Sequence, residues 1–146
     1  LRRNYHTIAF RPELQDLTRR LIATSAAGSG PTLVNCMAGK DRTGIAVAML
    51  QMAAGVHRDD VIEDYLLTNT AGDVEARITA GIATVKEIAG ARDEASLRVL
   101  MGVEADYLEA AFAAIDEKFG AIDTYLEQVM GVDAGMRSKL QAALVE

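Results

Sequence analysis

Val34-Asn35-Cys36-Met37-Ala38-Gly39-Lys40-Asp41-Arg42-Thr43-Gly44 is the stretch around which the rest of this chain is read. Residues 32–36, Thr-Leu-Val-Asn-Cys, are short, apolar and β-branched, with Gly28-Ser29-Gly30-Pro31 before them and a polar turn over residues 37–41 after. That pattern predicts a buried strand. Beyond the turn, Ile45, Val47, Ala48, Leu50, Met52 and Ala53 make a nearly all-apolar helix that ends before Gly55, and such a helix is expected at the centre of a fold. The order around Cys36 is therefore strand, tight loop, central helix.

Upstream, Pro12 suits a first helical turn, and Leu14, Leu17, Leu21 and Ile22 recur at helical spacing, which predicts a helix over about 12–25. Downstream the whole chain reads as helix. Asp59 or Asp60 caps a short one carrying Val61, Ile62, Tyr65 and Leu66, and Asp73 caps a longer one ending before Gly90. Four more follow over about 95–101, 104–119, 122–130 and 134–145, punctuated by Gly102, Gly120 and Gly131, and the abundant alanine favours them. A single buried strand cannot satisfy its own backbone groups. Residues 3–10, with Tyr5, Thr7 and Ile8, are the local candidate for a second strand, yet buried sheets usually have more than two. Residues 1–146 are accordingly expected to be the C-terminal part of one domain, whose missing strands come from an earlier segment, a complementing chain or a second copy in a homodimer.

Composition narrows the function. A net charge of -6 with no basic run argues against nucleic acid as a partner. One cysteine excludes an internal disulfide, and two separated histidines, His6 and His57, leave no zinc-ligand cluster, so no metal is expected. No apolar stretch approaches the roughly 18 to 20 residues of a membrane span, and the first residues lack the apolar core of a signal peptide. The expected location is cytoplasmic, or secreted by a route without a visible signal peptide.

The chemistry sits in Cys-x5-Arg-Thr-Gly. Given this chain's own Arg, Ser/Thr and Gly content, Arg-[Ser/Thr]-Gly at that offset arises by chance roughly once in 1,700. A loop curling into a helix N-terminus turns successive N–H groups of residues such as Met37, Ala38, Gly39 and Lys40 toward one point, and the helix dipole reinforces that anion nest. Arg42 can close the ring with a planar fork that grips two phosphate oxygens. Cys36, at the loop base, feels the same positive field, so its pKa is expected to fall from about 8.5 into the roughly 3.5–7.5 range of activated cysteines. Its thiolate is then placed for in-line attack on phosphorus, forming a phosphocysteine that water hydrolyses. Thr43 can donate its hydroxyl to the sulfur when the thiolate leaves. Gly39 is expected at φ > 0, Gly44 at a close helix contact, and Lys40 as positive charge at the rim. Asp41 is a carboxylate beside an anion site; it repels the substrate unless protonated, which suits it to be the general acid for the leaving oxygen.

At these residues the chain resembles the cysteine-dependent protein tyrosine phosphatases, and the fuller Cys-x-Ala-Gly-Lys-Asp-Arg-Thr-Gly form resembles their bacterial group. Asp64-Tyr65-Leu66-Leu67-Thr68-Asn69, Tyr107-Leu108-Glu109-Ala110-Ala111 and Phe119-Gly120-Ala121-Ile122-Asp123-Thr124-Tyr125-Leu126 are similar to that group as well. The resemblance implies an α/β fold, a parallel sheet flanked by helices, of which this chain supplies mostly helices and few strands. It implies activity on phosphotyrosine, and in part of the group on phosphoserine, phosphothreonine or phosphoinositides, with Lys40 contacting inositol-ring phosphates. Phosphate or vanadate would occupy the loop, and no metal or organic cofactor is needed. Some members carry a helical lid, for which residues 73–101 are the candidate here. Two departures stand out: Asn35 precedes the cysteine where the family usually has His, and the acid expected on a separate upstream loop has only Asp16 as a counterpart, on a predicted helix, which leaves Asp41 as the better choice.

Two readings from other classes compete. A nucleotide-binding P-loop fails because Gly39-Lys40 is followed by Asp41 rather than Ser or Thr, and Val34 stands where the first motif glycine belongs. A catalytically weak phosphate-binding or scaffolding module is the alternative that phosphate release separates from an enzyme. A redox sensor built on Cys36 is compatible with the enzyme, because a low-pKa exposed thiolate is also the easiest to oxidise.

Overall fold

Tyr5 and Ile8, three positions apart, are both buried while His6 and Thr7 between them are exposed, a helical rather than an alternating pattern. In the computed structural model they lie on α1 (Arg2–Ile8), where the sequence pattern pointed to a strand. The structure describes residues 2–71, 73, 75, 76, 79 and 102–145, and these are mostly helical. The candidate lid, 73–101, and the helices expected within it lie largely outside the described residues, although Asp73 Oδ1 accepts the Ala76 N–H at 2.9 Å, as a cap does.

Pro12 opens α2 (Pro12–Ala26), which buries Leu14, Thr18, Leu21 and Ile22. After the loop come α3 (Asp41–Ala54), closed by Gly55 at φ 92°, and α4 (Arg58–Leu66), extended by a short 3-10 turn (Leu67–Asn69). The cap of α4 is His57, whose Nδ1 accepts the Asp59 N–H at 3.3 Å; Asp59 and Asp60 occupy the first turn instead of the cap position. The remaining helices, α5 (Ala105–Phe119), α6 (Ile122–Gln128) and α7 (Ala134–Leu144), fall close to their expected bounds. The glycine stops and apolar spacing that mark them are local signals, which is why their limits are legible.

α3 is central. It packs against α2, α4, α6 and α7, while α1 lies along α5. Ile45, Met49, Leu108, Phe112, Ile115, Tyr125, Leu126 and Leu140 are fully buried in one core. Tyr125 keeps its hydroxyl satisfied by donating to the Ala9 carbonyl at 2.6 Å, which fastens α6 to the α1–α2 turn.

The buried strand over 32–36 is not observed. These residues take part in no ladder, and among the described residues there is no strand for them to pair with. The segment is largely exposed, with Leu33 90% accessible and only Val34 and Cys36 partly covered. An unpaired backbone stays near water because burying its N–H and C=O groups alone costs too much. Two grooves, of about 230 and 450 Å³, border it, the first against α2 and the second against α2, Val47 and Leu50 of α3 and the end of α7.

Candidate active site

The loop and the start of α3 set the site. Gly39 has φ 67°, in the left-handed region that glycine enters without steric cost, and this lets the chain double back at the loop apex. Lys40 is the N-cap residue of α3 but contributes no side-chain cap, so the first N–H groups of the helix are left for another acceptor. Gly44 allows the first turn to sit tightly on α4, where a Cβ would lie 2.6 Å from Cε2 of Tyr65.

Cys36 is partly buried at the base of this loop. Burial pushes its thiol up, but the Thr43 hydroxyl and the backbone N–H groups of Thr43, Gly39 and Ala38 outweigh that and lower it to about 6. These donors converge on Sγ, so the sulfur is mainly thiolate at neutral pH. Thr43 Oγ1 is buried without any other hydrogen-bond partner, and its contact with the sulfur is looser than a standard hydrogen bond. Arg42, six positions after the cysteine, is exposed and forms no ion pair among the described residues. Met37 is 94% accessible, and Ala38 and Gly39 are exposed beside it.

Asp41 differs from its expected place in the loop: it is the first residue of α3. Its Oδ1 accepts from the Tyr5 hydroxyl at 2.6 Å and lies 3.5 Å from the Lys40 ammonium. Lys40 is not at an open rim. It is buried, and its Nζ donates to the Gly102 carbonyl at 2.9 Å, so its charge is turned toward Gly102 and Asp41. Asn69 braces the same region by exchanging two 2.9 Å hydrogen bonds with the backbone of Val103. Asp41 and Arg42 line one groove of about 390 Å³ together with Asn4, Tyr5, Ile8 and Arg11. Asp16 is engaged elsewhere, with Arg19 at 2.6 Å. Asn35 is exposed beside α2, next to the 230 Å³ groove. Among the described residues no group of three or more His, Cys, Asp or Glu side chains is arranged to hold a metal ion.

The family model for the tyrosine phosphatase family matches residues 1–146. The chain belongs to the tyrosine phosphatase family. It is 32% identical over 148 residues to the triple specificity protein phosphatase PtpB of Mycobacterium tuberculosis, an alignment covering 97% of this chain and 53% of that relative. It is 38% identical over 109 residues to a protein named as a candidate tyrosine-protein phosphatase in Cupriavidus necator, covering 75% of this chain and 38% of the relative. The chain thus spans about half the length, or less, of these curated relatives.

In this family member, two residues that the motif does not contain reach the site. Tyr5 and Tyr65 share a 2.7 Å hydrogen bond between their hydroxyls, and both rings are buried against the start of α3. Tyr65 was visible in the sequence as an apolar helix position and as part of the family-like stretch over residues 64–69, without a link to the loop, and Tyr5 as weak support for a strand. Among the described residues no helix is long and apolar enough to cross a membrane.

Proposed function

We propose that this protein is a phosphatase that hydrolyses phosphotyrosine monoesters, and also phosphoserine, phosphothreonine or phosphoinositide esters, through a phosphocysteine intermediate. The observation that carries this reading is the convergence of the Ala38, Gly39 and Thr43 N–H groups on Cys36 Sγ at the open N-terminus of α3. Those donors stabilise negative charge at the point where a phosphoryl group must sit. In this mechanism the loop amides and Arg42 hold the phosphate oxygens. Cys36 Sγ attacks phosphorus as the ester P–O bond breaks, and the leaving oxygen takes a proton from Asp41. Water then gives a proton to the Asp41 carboxylate and attacks phosphorus; the S–P bond breaks, and its electron pair returns to a sulfur that the Thr43 hydroxyl stabilises. Lys40 contributes through Asp41, given where its ammonium lies. The name of the mycobacterial relative, which records triple specificity, supports the breadth of the substrate class.

The proposal extends to the fold. Residues 32–36 serve as one strand of a parallel sheet flanked by these helices, and further strands enter the grooves on either side, from another part of a longer domain, a complementing chain or a second copy. The exposure of Leu33 and the share of the relatives' length that this chain spans support it.

Phosphate release from a phosphotyrosine peptide, a phosphoserine peptide and phosphatidylinositol phosphates tests the activity. Cys36→Ser is expected to lower turnover by roughly 10⁴-fold or more while vanadate still binds. Saturable vanadate binding without release from any substrate by the unaltered protein would instead favour the phosphate-binding module.

A further inference from the structure

Asp41 can act as the acid only if one carboxylate oxygen is held and the other is presented. Its Oδ1 has two neighbours, the Tyr5 hydroxyl at 2.6 Å and the Lys40 ammonium at 3.5 Å. Tyr5 has a single hydroxyl proton, which it gives to Asp41, so the 2.7 Å contact between the two phenols requires Tyr65 to donate to Tyr5. The result is a directed chain, Tyr65 to Tyr5 to Asp41 Oδ1, in a buried setting where successive hydrogen bonds strengthen one another. Tyr5 is 1% exposed, and its ring lies 5.3 Å from that of Tyr107 on α5. Tyr65 is in turn wedged against Gly44, where there is no room for a methyl group. Burial foremost, and the donation to Asp41 after it, hold the Tyr5 phenol well above its ordinary pKa, so it stays a donor throughout the working pH range.

We infer that Tyr5, backed by Tyr65, is the positioning residue for the general acid: by occupying Oδ1 it leaves Oδ2 of Asp41 as the oxygen that carries the proton to the leaving group. The inference rests on the phosphatase reading above and deepens it. In the first step the proton passes from Oδ2 to the ester oxygen as the P–O bond breaks, and Oδ1 keeps its bond from Tyr5 as the carboxylate forms. In the second step Oδ2 takes a proton from the attacking water. Neither tyrosine loses its own proton, and neither touches the reacting atoms.

A general acid matters most when the leaving group is poor. The test is therefore kcat/KM for two phosphomonoesters, phenyl phosphate and 2,4-dinitrophenyl phosphate, measured on the full chain and on Tyr5→Phe, Tyr65→Phe, Asp41→Asn and the Tyr5→Phe/Asp41→Asn double variant. Tyr5→Phe is expected to lose about tenfold on phenyl phosphate and less than about twofold on the dinitrophenyl ester, a part of the roughly 10²–10⁴-fold that a complete acid supplies. Tyr65→Phe should show the same bias at smaller size, because it acts through Tyr5. The double variant should be no slower than Asp41→Asn alone. Thermal melting and vanadate inhibition check that each variant is folded with an intact loop; if Tyr5→Phe does not fold, Tyr65→Phe carries the comparison. Equal losses on both esters, or a double variant slower than Asp41→Asn by the full Tyr5→Phe factor, would overturn the positioning role. If Asp41→Asn itself shows no dependence on the leaving group, Asp41 is not the acid and the mechanism above fails along with it; if Cys36→Ser retains turnover, the phosphocysteine reading fails.

Discussion

The two approaches to the loop over residues 36–40 are built differently. On the entry side, residues 32–35 run into Cys36 with Leu33 90% exposed and no backbone partner among the described residues. On the exit side, Lys40 and Asp41 are fastened by Tyr5, Tyr65 and the Gly102 carbonyl, and α3 behind them is packed against four helices. Asp41 is thus held by contacts within this chain, whereas the segment leading to Cys36 is exposed and bordered by grooves. The pKa of the Cys36 thiol is nonetheless lowered to about 6, because the donors responsible come from the loop and the helix start rather than from the segment before it.

Breaking the packed side should have the largest effect. Phe112 is fully buried in the core and carries the Arg58 guanidinium 4.7 Å from its ring centre, so Phe112→Ala is expected to cost about 3–5 kcal/mol in denaturant unfolding. Gly44→Ala drives a methyl group into the Tyr65 ring and should cost about 1–3 kcal/mol, with Tyr65 displaced and activity reduced alongside. A next, smaller effect belongs to the loop. The rate of Cys36 alkylation by iodoacetamide should rise with pH through about 6 and level off above 7, since thiolate and not thiol reacts. Thr43→Ala removes the leading stabilising donor and should move that midpoint up; an unmoved midpoint would leave the backbone N–H groups as the whole cause. The smallest effect sharpens the open side. Leu33→Ser should change the stability of this chain by less than about 0.5 kcal/mol, as at other exposed positions. A loss of about 2 kcal/mol from the same change in a longer protein would show that further structure covers the segment there.

Much of the candidate site was legible because its motif is local. Cys36, Gly39, Arg42 and Thr43 fall within eight consecutive residues, and a loop that short must curl around one point before a helix. Lys40 was misjudged for the opposite reason: an exposed rim and a buried contact with Gly102, 62 positions away, look the same in sequence. The strand reading of 3–10 failed because it rested on the residue types of Tyr5, Thr7 and Ile8 rather than on a period; the shared burial of Tyr5 and Ile8, three positions apart, fits a helix and not an alternating strand.

By itself, then, the sequence determined the family-like stretch from Cys36 to Gly44 and, among the described residues, the helices whose proline, glycine and apolar signals lie within a few residues of each other. Only the tertiary structure decided that Asp41 opens α3 under the hydroxyl of Tyr5, 36 positions away, and that Tyr65, 60 positions from Tyr5, completes the chain. The physical reason is that capping, propensity and amphipathic spacing act over one or two turns, whereas a buried hydrogen bond between distant residues exists only after α1, α3 and α4 have packed, and leaves no period in the sequence to read.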